Sequence, residues 1–493
     1  MTPPEPIAEP VGGTRPEPVE GWVAAVDLGA TSGRVILGHV GPDLLTIETV
    51  HRFANSPVRL GDGLHWNILE LYHQVLAGLR LAVQQRPELI SIGIDAWAVD
   101  YGLVEGDRLV GVPFHYRDER SAPGVESVHA TVSQNDLYAA GGLQFLPFNT
   151  IYQLAVDAEQ GIVDADTMML MIPDLLGFWL TGVKITERTN ATTTGLLDLV
   201  DGTWNIPLLT KLALPETLFP AIVDPGARIG ALRTSVRLEI GAERDIDLVA
   251  VGSHDTASAV VAVPMTSREA AYISSGTWSL VGMELDQPVL SDPSFTNEGG
   301  VDGRVRYLRN VMGLWLLTES INSWVRAGET VELAELLAQA AACSEPVAVF
   351  DANDPSLLPA GNMPARIIEL CGRDQLPVPA APAEFVRSIC ESLAAAYATA
   401  LDDAERLSGT TISTVHVVGG GSQNALLCQL TADRSGRKVL AGPVEATAIG
   451  NVLVQARAAG LVGGSLEDLR ALVARKFLPT QYLPNHHERI TSP

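Results

Sequence analysis

The chain has 493 residues, more than one hydrophobic core usually serves, so we expect at least two domains with a cleft between them. Its formal net charge is −25, which argues against a nucleic acid or an anionic membrane as a partner. The four cysteines show no spacing typical of a disulfide framework or a zinc site, and this fits the reducing cytoplasm.

Residues 1–20 predict a disordered tail. They contain six prolines and four glutamates with almost no large apolar side chain, so they cannot bury enough surface to offset the entropy of ordering. The segment lacks the basic start and apolar stretch of a secretory signal, and nowhere does the chain offer a run of apolar residues long enough for a membrane span. We therefore expect a soluble, cytoplasmic protein.

The first half predicts strands followed by a helix. From Trp22 onward, apolar segments separated by glycine turns indicate a three-stranded meander. Apolar residues at helical spacing predict a helix over 68–84 with Asn67 as its N-cap. A buried strand over 90–94 then enters Asp95, and a further apolar strand is expected over 246–251.

The second half repeats this order less regularly. Its predicted elements are strands over 271–274 and 278–283, a long helix over 384–407 that ends at Gly409, and a strand over 415–418 that runs into a glycine-rich loop and a helix. Two such series predict a duplicated α/β architecture with the ligand between the halves. We place the domains at 21–265 and 266–485.

Three glycine-rich loops indicate a nucleotide site. Residues 24–34, AAVDLGATSGR, and residues 272–279, YISSGTWS, each join an apolar strand to a Gly/Ser/Thr turn where backbone N–H groups and hydroxyls converge. Either turn alone is as well explained by an ordinary hairpin, but together they predict a clamp on one nucleotide. Gly29 and Gly33 would let a phosphate approach the backbone. The third loop, VVGGGSQN over 417–424, is expected to form the floor of the adenosine pocket.

Two aspartates are the candidates for chemistry. Asp255, in GSHDTASA after the strand over 246–251, can accept a hydroxyl proton during phosphoryl transfer. The alternative is that Asp255 or Ser253 caps the next helix. Asp27 follows the first strand and is expected to hold Mg²⁺ through water, with a turn-stabilising contact as the alternative.

These segments resemble the FGGY carbohydrate kinases over nearly all of residues 22–485. The resemblance is carried by VDLGATSGR, SIGIDAWAVDYG, TNATTTGLLD, SHDTASAVVAVP, YISSGTWSL, FTNEGG, RNVMGLWLL, VVGGGSQNALL and GPVEATAIGN. It implies a two-domain actin-like (ribonuclease H-like) ATPase fold with the active site in the interdomain cleft. Several of these segments are more similar to members that phosphorylate L-rhamnulose than to glycerol or xylulose kinases. The implied reaction is MgATP-dependent phosphorylation of L-rhamnulose at its C1 hydroxyl, in L-rhamnose catabolism.

Carried over by position, the resemblance also implies site residues. ATP would contact Ala30, Thr31, Ser32, Gly33, Arg34, Thr277 and Gly420. The ketose would contact His254, Asp255, Thr256 and Asn310, with Asp255 as the proton acceptor. Two positions depart from the family pattern, because Ala98 stands where a sugar-contacting glycine is usual and Thr318 where a nucleotide-contacting glutamine is usual.

Two alternatives stay open on the sequence. One is a kinase of another ketose or polyol, such as L-fuculose or L-xylulose. The other is a non-enzymatic actin-like nucleotide switch, because fold alone does not imply chemistry. The expected partners are a small ketose and MgATP, and the sequence does not fix the oligomeric state.

Overall fold

A computed structural model describes residues 20–343 and 346–485. The tail predicted over 1–20 lies outside the described residues except for Glu20. Two α/β halves are present, as the sequence predicts. None of the helices in the described part of the chain combines the length and the apolar character that a membrane crossing requires.

The elements of the first half are β1 (Gly21–Leu28), β2 (Ser32–Gly41), β3 (Leu44–Ala54), β4 (Val58–Leu60), β5 (Gly63–His65), α1 (Ile68–Gln85), β6 (Ser91–Ala96), β7 (Tyr101–Glu105), β8 (Arg108–Val110), α2 (Ala122–Thr131), α3 (Gln134–Gly141), α4 (Thr150–Glu159), β9 (Thr167–Met171), α5 (Ile172–Thr181), β10 (Thr186–Glu187), α6 (Arg188–Ala191), α7 (Ile206–Lys211), β11 (Ile222–Val223), β12 (Arg228–Ala231), α8 (Thr234–Ile240), β13 (Asp247–Val249) and α9 (Asp255–Val261).

The elements of the second half are β14 (Ala270–Ser275), β15 (Trp278–Leu285), β16 (Thr296–Gly299), β17 (Val305–Met312), α10 (Trp315–Arg326), α11 (Leu333–Ala341), α12 (Met363–Arg373), α13 (Pro382–Ser408), β18 (Thr414–Val418), α14 (Ala425–Ser435), β19 (Lys438–Ala441), α15 (Ala446–Ala458), α16 (Leu466–Lys476) and β20 (Thr480–Tyr482).

The two halves share one topology. In the first sheet, of strand order β12-β13-β6-β1-β2-β3, the meander β1–β3 is antiparallel and β1 pairs in parallel with β6. In the second, of order β16-β17-β15-β14-β18-β19-β20, β14 and β15 are antiparallel and β14 pairs in parallel with β18. The duplicated architecture predicted from the sequence is therefore confirmed.

Element boundaries follow the predictions with local exceptions. α1 ends one residue later than predicted. α13 begins two residues earlier and ends one residue later, at Ser408, and Gly409 with a φ of 70° is its C-cap as predicted. Asn67 occupies the predicted N-cap position, but within the described residues its side chain accepts no bond from the helix, and only its backbone carbonyl accepts one, from Leu71. The strand predicted over 246–251 is shorter, because only Asp247–Val249 pairs in the sheet.

α9 and α15 pack together closely at Gly450. A Cβ placed on Gly450 of α15 would lie 1.8 Å from the backbone oxygen of Ser258 in α9, so only glycine permits this approach. α15 also packs against β1 and β2, and a Cβ on Gly38 of β2 would meet Val452 at 2.4 Å. The hydrophobic core formed here contains residues of both sheets, including Val23, Ile36 and Tyr272, so the halves share it.

The Gly450→Ala substitution should destabilise the protein by about 2–3 kcal/mol, because the added methyl group overpacks a helix contact that cannot yield without backbone shifts. Gly372→Ala is the matched control. Gly372 is also helical, but a Cβ there meets nothing within 4 Å, so alanine should stabilise by about 0.5–1 kcal/mol. Thermal unfolding followed by circular dichroism measures both, and an unchanged midpoint for Gly450→Ala would contradict the packing described.

Candidate active site

A cavity of about 360 Å³ lies between the two halves. It is lined by most of the residues that the sequence predicted: Asp27, Ala30, Thr31, Ser32, Arg34, Ala98, His254, Asp255, Thr256, Thr277, Asn310 and Gly420. The carboxyl ends of parallel strands meet at one edge of a sheet, where ligands bind in open α/β folds. β1 and β6 end together, with Leu28 beside Ala96, and the chain that follows β13 bridges Ala96 at His254, which explains why residues distant in sequence converge.

Two predicted residues do not line the cavity. A Cβ on Gly33 would lie 2.3 Å from the ring of Phe53, so this glycine serves packing between β2 and β3 rather than the approach of a phosphate. Thr318 is exposed on α10. The structure therefore gives neither residue the cavity position that the sequence suggested for it.

An ion pair orders the first loop. Arg34 Nε donates to Asp27 Oδ2 at 3.0 Å, and Arg34 Nη1 lies 2.6 Å from Glu445 Oε2 of the second half. The loop itself is closed by a bond from the Gly29 amide to the Ser32 carbonyl. Asp27 is 2% exposed, and burial raises its pKa to about 6 despite the opposing effect of Arg34.

A second buried aspartate stands beside Asp27, and sequence analysis gave it no role. Asp95 is the register partner of Asp27 in the parallel pair β1–β6. Its Oδ2 accepts a bond from Asn451 Nδ2 of α15 at 2.5 Å, and its Oδ1 has no hydrogen-bond partner among the described residues. Burial, and then the charge of Asp27, raise the pKa of Asp95 well above its usual range. The sequence signal that could have identified Asp95 is its position near the end of a buried strand, which it shares with Asp27.

The second and third loops lie side by side. A Cβ on Gly421 would meet Ser275 Oγ at 2.0 Å, so glycine is required where the loop after β18 passes the β14–β15 turn. Gly419 has a φ of 79°, the left-handed conformation that glycine adopts without strain. Gly420 faces open space and lines the cavity together with Thr277. Both loops thus present backbone to the same cavity.

Asp255 is the first residue of α9, and His254 occupies the N-cap position. Ser253 does not cap this helix: its amide and hydroxyl both donate to Glu187 Oε2, at 2.9 and 2.8 Å. Asp255 accepts a bond from the Thr256 hydroxyl at 3.1 Å, and its side chain is 33% exposed in the cavity. The carboxylate is thus accessible from the cavity rather than consumed by a helix cap.

Two charged residues of the second half orient His254, and sequence analysis missed both. Arg306, fully buried on β17, donates through Nη2 to His254 Nδ1 at 3.1 Å. Glu298 Oε2 lies 2.9 Å from that Nη2 and 3.1 Å from Nδ1, but only the guanidinium contact with the ring has hydrogen-bond geometry. Nδ1 therefore lies against both the guanidinium and the carboxylate, and Nε2 is the ring nitrogen on the side of Asp255. Nε2 lies 3.6 Å from Asp255 Oδ1, too far for a hydrogen bond.

The buried Glu298 is ionised. Burial raises its pKa, but Arg306 and His254 lower it by more, so the pKa lies below its usual range. Glu298 and Arg306 face each other in the antiparallel pair β16–β17, which explains their contact. The Glu298–Arg306 ion pair therefore lies against the His254 imidazole, and its two charges compensate each other.

Contacts between the halves border the cavity. Gln144 Oε1 accepts bonds from the Asn310 amide and side chain at 3.0 and 3.1 Å, linking the first half to β17. Arg117 Nη1 donates to the Leu358 carbonyl at 2.8 Å, and its guanidinium lies 3.9 Å from the ring of Trp315. The cavity is thus bounded by both halves.

Asp27→Asn should raise the thermal stability of the ligand-free protein at neutral pH, on the order of 2 kcal/mol. The pKa of Asp27 is higher in the folded chain, about 6, than its ordinary 3.8, so the stability contributed by its neutral form is lost as pH rises through 6. Asparagine resembles the neutral form at every pH. The gain in melting temperature should therefore shrink as pH falls from 7.5 toward 4, and a lower melting temperature for the variant at pH 7.5 would contradict this account.

Family comparisons agree with this geometry. The chain matches the N-terminal domain of the FGGY family of carbohydrate kinases over residues 22–262 and its C-terminal domain over residues 271–459. Among curated proteins it is 39% identical over 460 residues to a rhamnulokinase of Oceanobacillus iheyensis, covering 92% of this chain and 96% of that protein. It is 40% identical over 471 residues to a rhamnulokinase of Pectobacterium carotovorum, covering 94% and 93%.

Solved structures show the same fold. A ligand-bound xylulose kinase from Lactobacillus acidophilus superposes with a TM-score of 0.76 at 17% identity, and a Plasmodium falciparum glycerol kinase with ADP superposes with 0.75 at 14%. Each comparison covers 94% of both chains. The fold is thus the two-domain actin-like ATPase fold expected from the sequence.

Proposed function

The chain belongs to the FGGY family of carbohydrate kinases, and on that basis we propose that it transfers the γ-phosphoryl group of ATP to the C1 hydroxyl of L-rhamnulose. The products are L-rhamnulose 1-phosphate and ADP. Relatives named rhamnulokinase, 38–40% identical over most of the chain, support this ketose. The observation that carries the proposal is the accessible Asp255 carboxylate, which lines one cavity with the glycine-rich loops and with Asn310.

Asp255 is assigned the proton. As the C1 oxygen attacks the γ-phosphorus, the new O–P bond forms and the bond from that phosphorus to the β–γ bridging oxygen breaks, with its electron pair leaving on ADP. The hydroxyl proton passes to Asp255. His254 donates a hydrogen bond through Nε2 to a ketose oxygen, and Asn310 and Thr256 hold further hydroxyls.

The loops bind the phosphates. Residues Ala30, Thr31 and Ser32 present backbone N–H groups and hydroxyls on one side, and Thr277 and Gly420 contribute from the other side. Arg34, held between Asp27 and Glu445, supplies fixed positive charge to the transferred group. Preorganised charge of this kind needs little rearrangement during the reaction.

Asp27 is assigned to Mg²⁺. It lines the cavity, and Arg34 occupies only one of its oxygens, so Oδ1 is left to accept a bond from a metal-bound water. Mg²⁺ commonly binds through one or two carboxylates together with substrate phosphates, and this single carboxylate fits that pattern. When bound, the ion would neutralise charge on the phosphoryl oxygens.

Two alternatives differ in their support. A kinase of L-fuculose or L-xylulose remains a second candidate because the Ala98 methyl group lies at the sugar cavity, where family members usually have glycine. The nucleotide switch is disfavoured, since the chain belongs to a family of kinases and Asp255 is accessible in the cavity.

L-Rhamnulose should give the highest kcat/KM in an ADP-release assay over a panel of ketoses and polyols with Mg²⁺. L-Fuculose should be weaker because its one inverted hydroxyl leaves polar groups of the site unpaired, and L-xylulose should be weaker because this five-carbon sugar lacks the terminal methyl group. The same panel without sugar measures ATP hydrolysis, which should stay near background because closure around the sugar aligns the acceptor. A preference for glycerol or D-xylulose would refute the assignment.

Asp255→Asn should lower kcat by roughly 10² or more while ATP and ketose still bind, because the amide keeps the size of the side chain but cannot take the proton. Calorimetric titration measures binding, and single-turnover kinetics measures transfer. Asp247→Asn is the matched control: this carboxylate lies on the strand leading to the same loop but pairs with Arg228 away from the cavity, so kcat should be unchanged. Near-normal turnover of Asp255→Asn would assign the proton elsewhere.

A further inference from the structure

The segment 97–100, between β6 and β7, carries backbone strain beside the sugar end of the cavity. Val99 has a φ of 68°, a left-handed conformation that is strongly disfavoured for a β-branched residue. Trp97, Ala98 and Val99 all line the cavity. Strain of this kind persists only where the surrounding structure fixes the backbone on both sides.

Asp100 fixes one side of the strained residue. It is fully buried, and its Oδ2 accepts bonds from Trp66 Nε1 at 2.6 Å, Trp97 Nε1 at 3.1 Å and the Tyr116 amide at 3.1 Å. Its Oδ1 accepts a bond from Gln153 Nε2 at 2.9 Å. Burial raises the pKa of Asp100 to about 6, which leaves the group ionised at neutral pH. Only an ionised carboxylate can accept from all four donors.

Three of the four donors connect Asp100 to different walls of the cavity. Trp97 and Tyr116 line it directly, and Gln153 Nε2 also donates to the carbonyl of Phe148, a third lining residue. Asp100 itself does not line the cavity. Its single carboxylate therefore fixes three aromatic wall residues relative to each other without touching the ligand.

Two further hydrogen bonds hold the backbone around Val99. The Thr150 hydroxyl donates to the Val99 carbonyl at 2.7 Å, and the Asp100 amide donates to the Ala98 carbonyl at 2.9 Å. Ala98 does not have a positive φ, so its backbone does not demand the glycine that the family usually has there. The Ala98 methyl group affects the cavity only through the volume that it occupies. The hydrogen bonds around Val99 determine how far this methyl group projects.

We propose that Asp100 is a positioning residue that sets the ketose specificity of the site, by holding the strained segment 97–100 and the aromatic wall around Ala98 in one arrangement. This inference rests on the proposed ketose kinase activity. It assigns Asp100 no proton and no contact with substrate. Its effect is on which ketose fits, because the placement of the wall decides whether the pocket accommodates a given hydroxyl pattern.

Asp100→Asn tests the inference. Either orientation of the amide points an NH₂ group at a donor, and Gln153 cannot compensate by turning its own amide because Nε2 also binds the Phe148 carbonyl. The KM for L-rhamnulose should rise at least tenfold while the KM for ATP changes less than twofold. The ratio of kcat/KM between L-rhamnulose and L-fuculose should fall toward one. A purely structural role would lower the melting temperature and leave this ratio unchanged.

Val99→Gly is the second variant, and it keeps the test decisive if Asp100→Asn does not fold. Glycine adopts the positive φ without strain but loosens the segment, so the ketose KM should again rise and discrimination fall. Asp157→Asn is the control. Asp157 is a buried aspartate of the same half that pairs with Arg120 and Tyr101 and does not line the cavity, so it should lower stability without altering either KM.

The outcomes separate the two proposals. Turnover of the wild-type protein on the ketose panel tests the proposed function. The ratio of the KM of each variant to that of the wild type, measured with the best ketose of that panel, tests the role of Asp100. Unchanged ketose KM and discrimination in a folded Asp100→Asn, or in Val99→Gly if the former does not fold, overturns the positioning role. Parallel increases in the KM for ATP and for ketose also overturn it, because they would indicate a general effect on the cleft.

Discussion

The close contact between α9 and α15 is the constraint on which the site depends. Gly450 allows the two helices to approach so closely that a Cβ at this position would lie 1.8 Å from the Ser258 carbonyl oxygen. Asp255 begins α9, and Asn451, the residue after Gly450, binds Asp95 beside Asp27. One helix pair therefore sets the distance between the expected base, the carboxylate pair of the first half and the nucleotide loops of the second.

The site concentrates charge that the fold alone would not favour. Asp27 and Asp95 are both buried, and burial raises the pKa of each, so the folded chain accommodates them at a cost in stability. Arg34 compensates part of this charge, and Arg306 compensates the charge of the buried Glu298. Such an arrangement suits phosphoryl transfer, which is catalysed mainly by positioning and by fixed charges around the transferred group. Stability is thus exchanged for a preorganised site.

The features that could be predicted from the sequence are those that short-range patterns encode. The glycine-rich loops, the strands that precede them and the position of Asp255 after a strand are short-range features, and the structure places them around one cavity. Arg306 and Glu298 escaped prediction because only the pairing of β16 with β17, more than 40 residues along the chain, brings them to His254. Asp100 escaped for a similar reason, since its partners Trp66, Tyr116 and Gln153 come from three separate segments. Thr318 shows the converse case: similarity assigned it a contact, but it is exposed on α10 and does not line the cavity.

The transfer to a ketose hydroxyl can be tested through the product itself. L-Rhamnulose has its one primary hydroxyl on C1, so phosphorylation there couples the phosphorus to two protons. The proton-coupled ³¹P spectrum of a reaction with ATP, Mg²⁺ and L-rhamnulose should show a new phosphomonoester triplet growing in step with ADP. A doublet would place the phosphate on a secondary hydroxyl, and inorganic phosphate alone would show ATP hydrolysis without transfer. Either result would contradict the account of this cleft as a C1 ketose kinase.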